Sequence, residues 1–271
     1  MAIITISRGV FSGGELLAAH LGKRLGAKIV SREVIEEAAK QYGISEADLI
    51  HGLESPPNIW ERLVKQKENY ILAIQATLAQ MATEGNLIYH GLAGHLFLKD
   101  LAKVIKVRLV APMEHRIRGA ILELGLTRQE AIQHIESLDE KRHKWVKHLF
   151  SEEWPDPKLF DLVLNLEHMS IETATELVVD LVGRREYKQT SEWDQEIRDF
   201  ALLARIRAAL AFHSEFPEDC ADIHVLLGVV RLTGRSAFDK YRDDIIHFIK
   251  GIPGVREVVT GEEPQDGSIL H

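Results

Sequence analysis

The chain has 271 residues, 45% of them hydrophobic and 27% charged, with a formal net charge of −8. Such a composition excludes disorder as the default and leaves room for one large domain and one small one. Charge is uneven: residues 191–271 carry 15 acidic and 9 basic side chains (net −6), against 26 and 24 (net −2) in residues 1–190, so the acidic end is poorly suited to bulk attraction toward nucleic acid or an anionic membrane.

The longest apolar runs, such as Ile3–Ile6 and Val225–Val230, fall far short of the roughly 20 residues that a membrane helix needs, so no stable membrane insertion is expected. Met1–Ile6 runs straight into Ser7, Arg8 and a glycine turn, without the charged and long apolar regions of a secretory leader, and the expected location is the cytoplasm. The single cysteine, Cys220, has no internal disulfide partner and no CxxC spacing.

In chain order, Ala2–Ser7 is a mostly apolar run, the pattern of a strand covered on both faces. Glycines 9, 13 and 14 break it, and Glu15–Leu25 carries Leu16, Leu17, Leu21 and Leu25 at helical spacing. A short strand at Lys28–Val30 and a helix over Glu33–Gln41 follow. The spacing predicts a long helix over 58–84, ended by Gly85 before a strand at Asn86–His90. Val104–Val110 is the next strand, and Glu114–Leu124 the next helix. Thr127 and Glu130 form a capping-box pattern opening a long polar helix to about Phe150. Phe160–Asn165 is the fifth strand, and Ser170 caps a helix running through Leu181.

Five strands alternating with helices predict a doubly wound parallel sheet, with the strand containing Ile4 flanked on both sides. Residues 1–185 are expected to form this α/β domain, with a polar linker from Arg184 to Trp193. A second, small α+β unit is expected over 194–262: a helix (Asp194–Leu210), two apolar segments meeting at Gly228, a helix (Phe238–Ile249) and a strand (Val255–Val259).

Strand, glycine turn and helix aim backbone amides and a positive helix end at an anion, which points to phosphate. The Walker pattern GxxxxGK[ST] fails over Arg8–Glu15, because Gly14 stands at the lysine position and Glu15 at the hydroxyl position. Lys23 is no replacement: nine residues along a helix is about 13 Å. Arg8 is the nearest substitute cation, either swinging over the loop to hold phosphate or pairing with an acid at the strand end. Glu15 at a helix start is explained by the helix dipole. The 13 histidines lack HExxH or other ligand spacing, so no metal-binding residues are expected.

Ile4-Thr-Ile-Ser-Arg8 followed by Ser12-Gly-Gly14 resembles the cytidylate-kinase-like family, a P-loop class whose loop lacks the Walker lysine. Ile88–Gly91, Val107–Pro112, Arg116, Asp139–Arg142, Trp154–Pro157 and Phe160–Asn165 continue the resemblance in order. It implies a P-loop kinase-like domain that binds ATP with magnesium, with Ser12, Gly13, Gly14 and Arg116 as cofactor-binding residues and Arg8 and Arg142 as catalytic cations. By the same resemblance residues 31–85 cover an acceptor nucleotide and residues 113–158 act as a lid. Arg142 is equally explained as part of a solvated helix face with Lys141, Lys144 and Lys147. Phe11 departs from the family's usual loop glycine, and Leu92 from a frequent arginine.

Gly228–Gly234, the helix after it and Ile252–Val258 resemble a BON domain, which implies a small ligand or a protein partner there. Two functions remain open: a phosphotransferase moving the ATP γ-phosphate to a cytidylate-like acceptor, and a non-catalytic nucleotide sensor or scaffold signalling through the BON-like module.

Overall fold

The computed structural model describes residues 2–49, 61–213, 215–217, 221–234 and 238–261. Residues 58–60 of the expected long helix, Cys220, and the end of the expected second unit at residue 262 lie outside the described residues.

The first body is a parallel five-stranded sheet built from β1 (Ile3–Arg8), β2 (Lys28–Val30), β3 (Leu87–Tyr89), β4 (Ile105–Val110) and β5 (Leu162–Asn165) in the order β2-β3-β1-β4-β5. β1 pairs with β3 on one side (Ile4 opposite Ile88) and with β4 on the other (Ile4 opposite Ile105), so Ile4 is central as the apolar run predicts. Each face of β1 meets a separate core, because side chains alternate across a strand. Ile4 and Ile6 pack with Leu17 and Leu21 of α1 (Gly14–Leu25) and with Ala174 and Val178 of α7 (Ile171–Val182). Ile3 lies in the opposite core with Val34 of α2 (Glu33–Tyr42), Ile74 and Leu78 of α3 (Glu61–Ala82), and Phe97 of α4 (Gly94–Phe97).

α5 (Met113–Leu124) and α6 (Arg128–Phe150) form a hairpin with a small core of its own around Ile117, Ala120, Ala131 and Ile135. Thr127 caps α6 as its spacing predicts: its hydroxyl accepts from the Glu130 amide at 3.3 Å while its own amide donates to Glu130 Oε2 at 2.8 Å. Ser170 caps α7 in the same way, accepting from the Thr173 amide at 3.1 Å.

The expected linker is corrected at its end. Helix α8 spans Ser191–Ala211 with Thr190 as its cap, and Trp193 is a buried helical residue. Trp193, Ile197, Ala201, Ala204 and Ala208 recur every three or four residues and enter the core against α3. Leu202 and Ile206, one position further round, enter a different core with Val230, Leu232, Ile245 and Ile249. α8 is therefore a wall common to both cores. The sequence concealed this because Thr190–Asp194 is polar except for the tryptophan.

The small core belongs to a three-stranded sheet, β6 (Ala221–Leu226), β7 (Val229–Gly234) and β8 (Glu257–Thr260), with α9 (Phe238–Lys250) before the last strand. β6 and β7 are antiparallel, while β7 and β8 are parallel. Leu227 (φ 53°) and Gly228 (φ 76°) turn the hairpin in the left-handed region, where glycine carries no steric cost.

Candidate nucleotide site

Ser7 and Arg8 end β1, and the loop from Gly9 to Gly13 carries the chain into α1. Gly13 is left-handed (φ 81°), and α1 has no side-chain cap. Its first-turn amides therefore lack both an intrahelical acceptor and a capping oxygen, the local arrangement that receives an anion. Ser12 closes the loop on itself, its hydroxyl donating to the Gly9 carbonyl at 2.7 Å.

Two loop glycines are closely approached by arginine side chains. A Cβ on Gly14 would run into Arg8 Cδ, so the Arg8 side chain lies across the start of α1. One on Gly9 would stand 2.9 Å from the guanidinium carbon of Arg116. Phe11 is left-handed (φ 56°), a conformation that favours glycine, and its ring turns away from the loop toward Gly119 and the core of the α5–α6 hairpin. It ties the loop to that hairpin.

Four arginines surround this loop. Arg8 is 16% exposed and meets Glu15, which is 78% exposed, at 3.2 Å. Its guanidinium lies over the start of α1 and pairs with that acid. Its Nε is buried with no partner, and burial holds the guanidinium below its ordinary pKa. Arg142 donates to the Arg8 carbonyl at 3.1 Å. Burial first, and then the neighbouring Arg8 charge, push its pKa down to about 10. Arg142 thus faces the loop, not solvent. Lys144 and Lys147 are exposed and paired with Glu140 and Glu153.

Arg116 is occupied differently. Its Nε donates to the Val10 carbonyl at 2.8 Å and its Nη2 meets Asp139 at 2.7 Å, so it clamps the loop from beneath. Sequence reasoning missed the fourth cation, Arg108 of β4. Its Nη1 donates to Ser7 Oγ at 3.2 Å, and its guanidinium lies 4.3 Å from the Trp154 ring centre. Trp154 Nε1 also donates to Ser7 Oγ, at 3.0 Å. Burial lowers the pKa of Arg108 as well, with Arg116 adding to the effect and Asp139 opposing it. A charged residue in the alternating run Ile105–Val110 was the available signal.

Ser7, Arg8, Arg142 and Trp154 line a cavity of about 180 Å³, closed on its other side by Ser31, Arg32 and Ile74. It therefore combines both segments that the resemblance assigned to acceptor and lid. It opens at the carboxyl ends of β1, β2 and β3, where parallel α/β sheets bind their ligands. His90 lines it too, held below its ordinary pKa by burial and by the Arg8 charge. Among the described residues no group of three or more His, Cys, Asp or Glu side chains is arranged to hold a metal ion.

The profile of the cytidylate kinase-like family matches residues 3–168, which hold the whole of this site. The chain belongs to the cytidylate kinase-like family. Among its relatives, a cytidylate kinase of Ignicoccus hospitalis is 26% identical over 179 residues, covering 66% of this chain and 97% of the relative. A cytidylate kinase of Pyrobaculum aerophilum is 23% identical over 181 residues, 66% of this chain and 92% of the relative. A crystal structure of an uncharacterized protein from Eubacterium ventriosum superposes with a TM-score of 0.53 at 16% identity, covering 68% of this chain and all of the other, which supports the fold. The parallel five-stranded sheet is typical of P-loop kinases, and the family match ends before α7, α8 and the three-stranded sheet.

Proposed function

We propose that the loop from Arg8 to Gly14 binds the phosphates of ATP and that the adjoining cavity receives a cytidylate-like acceptor, to which the γ-phosphate is transferred. One observation carries this reading. Four arginines crowd the loop against two carboxylates, Glu15 and Asp139, and burial holds three of the four below their ordinary pKa. A phosphate dianion would relieve that excess of buried positive charge.

Phosphoryl transfer depends on positioning and on cations that absorb developing charge. An acceptor phosphate oxygen attacks the γ-phosphorus, the bond to the β–γ bridging oxygen breaks, and a nucleoside diphosphate and ADP leave. Arg8, lying across the start of α1, is the cation we assign in place of the absent Walker lysine; Arg142 bridges loop and hairpin, and Trp154 with Arg108 fixes Ser7 at the cavity wall. Of the loop's oxygen-bearing side chains, Glu15 faces Arg8, and the Ser12 hydroxyl donates its proton to Gly9 while keeping its lone pairs. Metal accompanying the phosphates would take most of its ligands from them and from water.

The second reading is a nucleotide sensor or scaffold, favoured by the Arg8–Glu15 pair over the helix start and by the loop's attachment through Phe11. Its output would pass to the three-stranded unit, which we read as BON-like from the Gly228 hairpin and the Ile252–Val258 entry to β8. We propose two units, 1–185 and the expected 194–262 with its start moved back to the beginning of α8 at Ser191.

Calorimetric titration of ATP with magnesium, followed by transfer assays over the nucleoside monophosphates, tests both readings. Arg8→Ala should weaken ATP binding tenfold or more, since charge-assisted bonds are worth about 1.5–3 kcal/mol and about 1.4 kcal/mol is a factor of ten. Lys23→Ala is the control and should have no effect. ATP affinity unchanged in Arg8→Ala would refute the role given to Arg8, and binding without transfer to any monophosphate would select the sensor.

A further inference from the structure

A second, larger cleft, of about 390 Å³, opens where the five-stranded body meets the three-stranded one. Gln80 and Thr83 at the end of α3 form one wall, and the Leu227–Gly228 turn with Pro253 and Gly254 forms the other. Three arginines line it: Arg198 and Arg205 from α8, and Arg256 from the segment before β8. Arg205 is half-buried, and Arg198 and Arg256 are exposed at the rim.

Among the described residues none of the three forms an ion pair. Arg205 donates to the Pro253 carbonyl at 2.9 Å and to Gln80 Oε1, Arg198 to Gln195 Oε1 at 3.1 Å, and Arg256 to the Leu227 carbonyl at 3.3 Å. A guanidinium has five N–H donors, so most of theirs stay available. The one carboxylate lining the cleft, Asp199, is committed to the hairpin turn. Its Oδ1 accepts from the Gly228 amide at 3.0 Å and from Gln195 Nε2 at 3.1 Å, and its Oδ2 accepts from the Leu227 amide at 2.8 Å. These arginines gather in a stretch whose net charge is −6, against the local trend.

We propose that this cleft is a second ligand site, which binds a small phosphate-bearing anion. Three guanidiniums against one carboxylate leave an excess of positive charge. A phosphate monoester, with about −1.5 to −2 at neutral pH, meets it better than a single carboxylate of about −1. Arg205 already bridges α3 and the loop at Pro253, so a bound phosphate would fasten the two bodies together. The site shares no residue with the phosphate loop and does not depend on it.

The test is calorimetric titration of pyrophosphate into the full chain, into Arg198→Gln/Arg256→Gln and into Arg142→Met, with citrate and ADP in parallel. Arg198 and Arg256 are exposed, so the double variant should melt like the parent. It should lose at least tenfold in affinity at a class of sites that Arg142→Met retains. Pyrophosphate binding that survives the double change but is lost in Arg142→Met would overturn the proposal, as would no binding by the parent outside the loop. Citrate matching pyrophosphate with the same arginine dependence would overturn the phosphate chemistry. ADP sharing that dependence would support it and name a nucleotide as the source.

Discussion

Arg142→Met separates what the phosphate loop costs from what it does. The Arg142 guanidinium is pushed well below its ordinary value, to about 10, mainly by burial and then by Arg8. At about 1.4 kcal/mol for each pH unit, its charged form bears a penalty of about 3 kcal/mol in the folded chain. Methionine fills similar space without charge, and replacing buried ions by apolar groups of like volume is often neutral or stabilising. Loss of the bond to the Arg8 carbonyl returns about 1–2 kcal/mol of that gain. A net stabilisation of about 1–2 kcal/mol corresponds to a melting point higher by about 2–8 °C for a chain of this size. Nucleotide should act in the opposite sense: ATP raises the melting point of the parent and has little effect on the variant. Differential scanning calorimetry with and without ATP reads both numbers. A nucleotide-free variant that melts below the parent, or one that ATP stabilises as strongly as the parent, would refute the account of Arg142 as a buried charge kept for phosphate.

Two further changes probe other parts of the structure. His95 is 2% exposed, packs tilted against Phe160 with ring centres 4.6 Å apart, and has both ring nitrogens buried without partners; burial and the Arg108 and Lys106 charges hold its pKa at about 3. Between pH 6.5 and about 3 the unfolded chain therefore binds a proton that the folded chain refuses, so stability falls as pH falls through that window, by about 2 kcal/mol at pH 5. His95→Phe should flatten the loss in urea titrations at pH 7 and 5, and an unchanged slope would remove His95 from the cause. Phe11→Gly relieves about 1 kcal/mol of left-handed strain but gives up a half-buried ring against the α5–α6 core, so it should destabilise by about 1–2 kcal/mol net. A melting point above the parent's would mean that the ring contributes little.

The sheet was legible because its strands are short apolar runs set off by glycines and helix caps, and the capping oxygens of Thr127 and Ser170 are local signals that tertiary packing leaves intact. The glycine turn into α1 was legible too, since Gly13 answers to local backbone geometry. What escaped was assembled over distance. Arg108 reaches Ser7 from 101 residues away, and Trp154 reaches it from 147; a charge inside the alternating strand marks Arg108 as unusual but does not say what it meets. Arg116 lies beside the loop as the resemblance implies, and only the fold reveals that its Nε meets the Val10 carbonyl and its Nη2 meets Asp139. Trp193 was read as linker because one aromatic among polar residues has no period until the stripe through Ala208 is added.

That stripe has a practical meaning for anyone who would divide the chain. A cut in the 186–193 interval leaves α8 with the small sheet and lays bare the groove on α3 where Trp193, Ile197 and Ala201 were seated. A cut after Ala211 instead leaves Leu202 and Ile206 facing water on the larger fragment and opens the small core around Val230 and Ile245. Either severed piece presents an adhesive apolar strip, so activity lost on truncation would report exposed surface before it reported a missing function.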